Sequence, residues 1–272
     1  MDRSAFEQGP DYVQSLARGL RVLSVFGHDM ASPTLSEIAE SSGLSRAAAR
    51  RSLLTLQHLG YVGSRGRNFF LTPRVLELGY GYLSSLDLGE LAQQAMEQLS
   101  QRVQESCSMA VLDGHDVVYV VRVPVRRIMR IALGVGARLP AFTASLGRVI
   151  LADLDKVELD NWIEGLEFHA YTPHTVRSAA EFRRALENVR KQGYALTSQE
   201  LELGLCSIAV PVRAGNGRVV AGLNVSMQYN EKAAQRAVKE ILPFLLQTRD
   251  AIEGSIRQGN WMPHLHMKYA NA

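Results

Sequence analysis

The chain has 272 residues, enough for two modest domains that each bury a core of their own. Its hydrophobic fraction of 46% is typical of a globular protein and excludes an intrinsically disordered chain. The net charge is only +3, which excludes a uniformly basic protein, so a nucleic-acid interface would need a local concentration of positive charge.

The same counts bear on compartment and cofactors. Cys107 and Cys206 are the only cysteines, too few for a disulfide framework or a four-cysteine zinc site. The polar start MDRSAFEQGP lacks the apolar stretch of a signal peptide, and no run approaches the ~18 apolar residues of a membrane span. We therefore expect a cytoplasmic protein that needs no metal and no cofactor.

The N-terminal region is predicted to form a helix-turn-helix. Apolar residues spaced near 3.6 predict a first helix from Tyr12 to Phe26. A second helix is predicted from Leu35 to Ser42, because Thr34 and Glu37 have the spacing of a capping box. Gly43 then supplies a short turn into a third helix, and two helices joined in this way are typical of DNA-binding proteins.

The third helix, from Arg46 to about Leu59, contains the basic stretch GLSRAAARRSL, and YVGSRGRNFFLT after it predicts a β-hairpin wing. No Asp or Glu occurs between Ser41 and Leu76, although six arginines do. This imbalance favours binding to a double-stranded DNA operator over a solvated surface helix. The predicted DNA contacts are Ser45, Arg46, Ala47, Arg50, Arg51, Arg65 and Arg67.

The rest of the chain is predicted to mix helices and strands. Pro73 begins a helix to about Leu86, and another follows from Leu88 to Glu105. Strands are predicted in CSMAVLDGHDVVYVVRVP, RIMRIALGV, CSIAVPVR and RVVAGLNVSM, and helices in TASLGRVILADL, LDNWIEGL, SAAEFRRALENVRKQG and from Glu231 to about Arg257. This α+β content predicts a DNA-binding domain over residues 1–72, a linker helix over 73–88, a sensory domain over 89–259 and a flexible tail over 260–272.

Several of these motifs together resemble one family. SLARGLRVLSVF, LSEIAESSGLSRAAARRSLLTLQHLGYV and FFLTPRVLELG resemble the winged helix-turn-helix of the IclR family of bacterial transcription regulators. LPAFTASLGRVILA and GYALTSQELELGLCSIAVPVR resemble that family's effector-domain signatures, so the resemblance spans about Tyr12 to Gly254. It implies an α/β, GAF-like effector-binding domain. ESCSMAVLDGHDVVYVVRVP and RIMRIALGVGARLPAF further resemble the branch that regulates protocatechuate, p-hydroxybenzoate and β-ketoadipate catabolism (the Pca/Pob branch).

The resemblance also implies a ligand site for a small organic acid such as protocatechuate, p-hydroxybenzoate or a β-ketoadipate-like dicarboxylate. The residues carried over to it are Ser145, Leu146, Thr197, Leu205, Ser207, Asn224 and Ser226. Ser145 and Thr197 stand where other members have a glycine or an acid, which indicates a different ligand. From the residues themselves, Arg126 or Arg130 could clamp a carboxylate, although such arginines more often face solvent.

Function is therefore predicted to be regulatory and not enzymatic, since no nucleophile elbow, HExxH or P-loop motif occurs. The expected partners are operator DNA, the acid effector and a second copy of the chain, as a homodimer or a dimer of dimers. The alternatives are an IclR-type regulator of another carboxylate or sugar-acid pathway, or a constitutive repressor. An enzyme with an accidental basic helix comes third.

Overall fold

A computed structural model of the protein describes residues 6–27, 30–85, 89–125 and 134–258, without the side chains of 82–91 and 258. The chain divides into two compact units, and the division falls between Tyr82 and Leu83. Within the described residues, no helix is both long enough and apolar enough to cross a membrane.

The N-terminal unit contains the predicted helix-turn-helix. Its helices are α1 (Gln14–Leu23), α2 (Leu35–Ser42) and α3 (Arg46–His58). The capping box of α2 is present, because the Thr34 hydroxyl accepts from the N–H of Glu37 and the Glu37 carboxylate accepts from the N–H of Thr34. Gly43 ends α2 in the left-handed conformation, with φ 65°, and the Ser45 hydroxyl caps α3 by accepting from the N–H of Ala48.

The three helices pack around a small apolar core. Its buried members are Val22, Ile38, Ala39, Ala49, Leu53, Leu56 and Val62. Helix α1 is shorter than the predicted Tyr12–Phe26 segment, since it begins at Gln14 and ends at Leu23, with Ser24 as its C-cap. Since α3 buries only three of its residues, most of its surface lies outside the core.

The predicted wing is also present. Strands β1 (Val62–Arg65) and β2 (Asn68–Leu71) pair antiparallel around the two-residue turn Gly66-Arg67, in which Gly66 has φ 62°. A Cβ on Gly63 would lie 2.5 Å from the Phe70 ring, so any other residue there would require the Phe70 side chain to move. The Asn68 side chain donates to the carbonyl of Ser32 at 2.6 Å, which fastens the wing to the loop before α2.

The linker begins with a 3₁₀ turn, Pro73–Val75, and continues as helix α4 (Leu76–Ser85). It starts where predicted, but the first turn is tighter than α-helical because the Thr72 hydroxyl caps Arg74 directly. Leu76 and Tyr80 are each 71% exposed, and Leu78 is exposed as well.

The second unit is built on a six-stranded antiparallel sheet with the order β5-β4-β3-β8-β7-β6. The strands are β3 (Ser106–Asp113), β4 (Asp116–Val123), β5 (Arg138–Pro140), β6 (Ala195–Ser198), β7 (Leu205–Arg213) and β8 (Val219–Gln228). The helices are α5 (Gly89–Val103), α6 (Ser145–Leu151), α7 (Lys156–Ile163), α8 (Ala179–Gln192), α9 (Ala233–Arg236) and α10 (Leu242–Gln258).

Each face of the sheet is covered by helices. Helices α5 and α10 pack on one face, over buried residues such as Met109, Ile208 and Val225. Helices α6, α7 and α8 pack on the other face, around Leu146, Trp162 and Phe182. We name this second side of the sheet the α6 face.

The C-terminal helix differs from its prediction, and one predicted strand is largely untested. The helix predicted from Glu231 to Arg257 is not continuous, because a π-helical segment, Ala237–Ile241, separates α9 from α10. Pro243, which has no N–H to donate, follows that segment. Most of the strand predicted in RIMRIALGV lies outside the described residues.

Candidate functional site

Helix α3 turns its arginines away from the core of the N-terminal unit. Ala49, Leu53 and Leu56 are buried, and this leaves Arg46 and Arg50 exposed on another side of the helix. Arg51 is exposed too, but it lies in the wall of a groove between α1 and α3. Ser45 and Ala47 are exposed at the start of the helix, where a recognition helix meets base edges.

The wing presents two further arginines, Arg65 at the end of β1 and Arg67 in the turn, both exposed. Gln57 of α3 donates to the Ser64 hydroxyl at 2.9 Å, which holds the wing beside this helix. In the part of the chain that the structure describes, no carboxylate pairs with any of the five candidate arginines of α3 and the wing. Their charge is therefore available to an external anion.

The second unit brings four of the predicted effector residues into one hydrogen-bonded cluster on the α6 face. The hydroxyls of Ser145 and Ser207 lie 2.8 Å apart, and those of Ser207 and Ser226 lie 3.2 Å apart. The amide nitrogen of Asn224 donates to the Ser207 hydroxyl at 3.0 Å and to the Ser226 hydroxyl at 3.1 Å. We call Ser145, Ser207, Asn224 and Ser226 the polar cluster.

One atom of the polar cluster has no partner. Asn224 is 3% exposed, and among the described residues its Oδ1 is the one buried side-chain oxygen or nitrogen without a hydrogen bond. A buried acceptor left unsatisfied costs about 1–3 kcal/mol, and such atoms are rare in folded proteins. An acceptor in this state fits a site that is completed by a ligand.

The other predicted effector residues lie around the polar cluster. Thr197 is buried and pairs with Ser207 across β6 and β7. Leu205 is half-buried at the start of β7, and Leu146 is fully buried in the core under α6. Arg126 and Arg130 lie outside the described residues.

The sequence interpretation missed an arginine on the same sheet face. Arg122 of β4 is half-buried, and its Nη1 donates to the Ser108 hydroxyl at 3.3 Å. Ser108 is the register partner of both Arg122 and Asn224, so the three side chains form one row across β4, β3 and β8. Desolvation lowers the pKa of Arg122, but an arginine stays charged in proteins.

Arg122 lies beside the buried Tyr119, with its guanidinium carbon 6.0 Å from the ring centre. Burial raises the pKa of Tyr119 to about 12, so this phenol is neutral at physiological pH. Within the described ranges, no Asp or Glu forms an ion pair with Arg122.

A buried ion pair positions the loop between β6 and β7, which leads into Ser207. Arg148 of α6 donates to both carboxylate oxygens of Glu200, one of them at 2.8 Å, and its Nε donates to the carbonyl of Phe142 at 3.0 Å. The side chains are only 6% and 11% exposed. The hydroxyl of Thr175 donates to the Glu200 carbonyl at 2.6 Å, so the loop is held from both sides.

Comparison with known families agrees with this arrangement. The profile of the IclR helix-turn-helix domain matches residues 15–66, and that of the bacterial transcriptional regulator IclR C-terminal domain matches residues 80–253. The chain belongs to the IclR family of bacterial transcriptional regulators. Membership in this family confirms the predicted fold class and the prediction of a DNA-binding regulator that is not an enzyme.

Relatives within the IclR family confirm the predicted branch. The chain is 39% identical to the Pca regulon regulatory protein of Pseudomonas putida over 89% of this chain and 84% of that one. It is 38% identical to the p-hydroxybenzoate hydroxylase transcriptional activator of Acinetobacter baylyi, over 90% and 93%. The crystal structure of an IclR homologue from Microbacterium hydrocarbonoxydans complexed with 4-hydroxybenzoate has a TM-score of 0.77 and 28% identity, covering 90% of this chain and 99% of that one.

Proposed function

We propose that this regulator controls genes of aromatic-compound catabolism by binding a small aromatic acid at the polar cluster, which changes its affinity for operator DNA. The observation that carries the proposal is the unpaired, buried Oδ1 of Asn224 within a group of hydroxyls on the α6 face. The neighbouring structure that holds 4-hydroxybenzoate and the similarity to regulators of aromatic catabolism support the class of ligand. Thr197, Leu205 and Leu146 are proposed as further walls of the site.

On the DNA side, we propose that α3 enters the major groove. Arg46, Arg50 and Arg51 would contact base edges, with Ser45 and Ala47 close to the DNA at the start of the helix. Arg65 and Arg67 of the wing would contact phosphates or the adjacent minor groove. The unpaired charge of these arginines supports this assignment.

We further propose that the regulator binds DNA as a two-fold symmetric dimer, alone or within a dimer of dimers. Val13, the N-cap of helix α1, and Leu16 and Leu20 of that helix are each more than half exposed, and their spacing places them along one side of it. The linker exposes Leu76, Leu78 and Tyr80, and the side chains of Tyr82 and Leu83 lie outside the described residues. Covering this apolar surface would stabilise a dimer.

The spacing of operator half-sites tests the dimer. Two symmetric recognition helices reach the same face of DNA only when their half-sites are about one helical turn, or a multiple of it, apart. Inserting about five base pairs between the half-sites should abolish tight binding, and inserting about ten should restore it. Gel shifts on the three operators would measure this. Equal affinity for all three would contradict the dimer.

The ligand site is tested with Ser207→Leu in the full-length protein. A leucine would fill the centre of the polar cluster, so calorimetry should detect no aromatic acid binding. Operator binding should persist, because the DNA-binding helices belong to the other compact unit. Ser198→Leu is the matched control, since Ser198 is half-buried one residue beyond Thr197 and alternation points it to the other sheet face.

The same titration, repeated on the operator complex of the unmodified regulator, tests the switch. We propose that the linker, residues 73–88, transmits the signal between the two domains. A coupled effector must change operator affinity, and operator must change effector affinity by the same factor, typically ~5–150-fold. An effector Kd that is unchanged by operator would show that binding is not coupled to DNA recognition. Absence of binding by any aromatic acid would leave a constitutive repressor or a regulator of another acid.

A further inference from the structure

We infer that Arg122 and Asn224 bind the two ends of the effector, which is a hydroxylated aromatic monocarboxylate. Its carboxylate contacts Arg122, and its hydroxyl donates to Asn224. The inference rests on the proposed function, because it assigns an orientation to a ligand at the polar cluster. It also narrows the expected ligands, since it excludes dicarboxylates that carry no hydroxyl.

Arg122 is the end that would hold the carboxylate. Its guanidinium uses one donor on the Ser108 hydroxyl, and within the described residues no acid neutralises it. A half-buried cation without a counter-ion is costly, and a carboxylate is the anion that its planar pair of donors fits best. An effector carboxylate would therefore gain a charge-assisted, two-point contact.

A β-bulge turns Arg122 towards this position. The register of β3 against β4 shifts between Met109 and Ala110, so that Val120 is the extra residue of β4. Without the shift, strict alternation would place Arg122 on the opposite face from Tyr119, under the helices α5 and α10. With it, both lie on the α6 face, as their contact with each other confirms. Bulges that redirect one side chain are common beside binding sites.

Asn224 is the end that would accept the hydroxyl. Its amide nitrogen already donates to Ser207 and Ser226, and the atom left over is an acceptor. A phenolic hydroxyl can donate a proton to that oxygen. A carboxylate or a ketone has only acceptor oxygens. A keto-dicarboxylate would therefore leave Oδ1 unpaired, or place another partly negative oxygen against it.

The two ends lie in a single row of the sheet. Arg122 and Asn224 occupy one row of the sheet with β3 between them, so their backbones are two strand spacings apart, roughly 10 Å. The Arg122 side chain extends across β3 to Ser108, which shortens the remaining gap. A ligand that bridges the two side chains would therefore lie over β3, on the α6 face.

Matched ligands test the two ends by calorimetry on the full-length regulator. We expect 4-hydroxybenzoate to bind more tightly than benzoate by about ten- to a hundredfold, because benzoate leaves Oδ1 unpaired. We expect 4-hydroxybenzamide, which lacks the charge, to be weaker than 4-hydroxybenzoate by a similar factor. Adipate, with two carboxylates and no hydroxyl, should show no binding.

Variants then assign each preference to its residue. Arg122→Gln should weaken 4-hydroxybenzoate about ten- to a hundredfold and leave 4-hydroxybenzamide nearly unchanged. Asn224→Leu should bind 4-hydroxybenzoate and benzoate equally. Arg138→Gln, which alters an exposed arginine on the adjacent strand β5, is the control and should change neither ligand. If Arg122→Gln fails to fold, Arg122→Lys, which keeps the charge but not the planar fork, should give an intermediate loss.

The outcomes separate this inference from the proposed function. The inference would be overturned if benzoate and 4-hydroxybenzoate bound equally tightly, or if Arg122→Gln lost the same factor of affinity for 4-hydroxybenzoate and 4-hydroxybenzamide. Neither result would contradict the proposed function of an aromatic effector coupled to DNA binding. Tight binding of adipate would also overturn the inference alone. If the unmodified protein bound none of the aromatic compounds, both the inference and the proposed function would be wrong.

Discussion

A variant carrying Arg46→Ala, Arg50→Ala and Arg51→Ala should lose specific operator binding. Each base-reading arginine contributes about 1–3 kcal/mol of discrimination, and a two-fold dimer carries each of them twice. Together these contributions approach the whole margin between specific and non-specific DNA binding, about 4–10 kcal/mol. Fluorescence anisotropy on operator and scrambled DNA would measure both affinities, and the two should become similar.

The control for this variant removes the same amount of positive charge from the second unit. Replacing Arg184, Arg218 and Arg257 with alanine takes the same three charges from exposed positions in the second unit and should leave operator affinity nearly unchanged. Arg65→Ala or Arg67→Ala should weaken operator and scrambled DNA alike and flatten the salt dependence by about one unit for each phosphate that is no longer neutralised. An unchanged operator Kd in the triple variant would refute the assignment of α3 to the groove.

The helix-turn-helix could be predicted from the sequence because its determinants are local. The capping box of Thr34 and Glu37, the left-handed Gly43 and the cap at Ser45 each act within four residues of the helix end that they define. The same holds for the cap at Ser178 and the terminal Gly193 of α8. Tertiary packing had little to add at these positions, so sequence and structure agree.

The effector site depends on register, which the sequence does not display. Ser145 and Ser207 are 62 residues apart, and only resemblance to the family indicates from the sequence that they meet. Arg122 was missed for a physical reason, because a single extra residue in β4 reverses the face predicted by alternation. Nothing in the sequence indicated that Gly147 is needed. A Cβ there would lie 2.1 Å from the Ala141 carbonyl oxygen, so helix α6 packs closely on the segment that precedes it.

The second large effect is expected at the buried ion pair of Arg148 and Glu200. Arg148→Met should lower the free energy of unfolding of the C-terminal unit by about 3–5 kcal/mol, because it leaves the Glu200 carboxylate buried without its cation. The Phe142 carbonyl would lose its donor too. Tryptophan fluorescence during chemical denaturation isolates this unit, since the buried Trp162 belongs to it and residues 1–82 contain no tryptophan.

A double variant distinguishes an unpaired charge from poorer packing. Arg148→Met combined with Glu200→Leu removes both charges, so it should recover most of the stability that Arg148→Met alone loses. Arg183→Met breaks a pair with Asp160 that is more than one-third exposed on both sides, and this control should cost no more than about 1 kcal/mol. Glu200→Leu alone is measured as well, and a loss in the double variant equal to the sum of the two single losses would contradict the role of the pair. Because Glu200 lies in the loop that leads to Ser207, Arg148→Met should also weaken effector binding. The double variant should recover less of the effector affinity than of the stability. Apolar contacts do not fix the position of the loop as the two-point ion pair does.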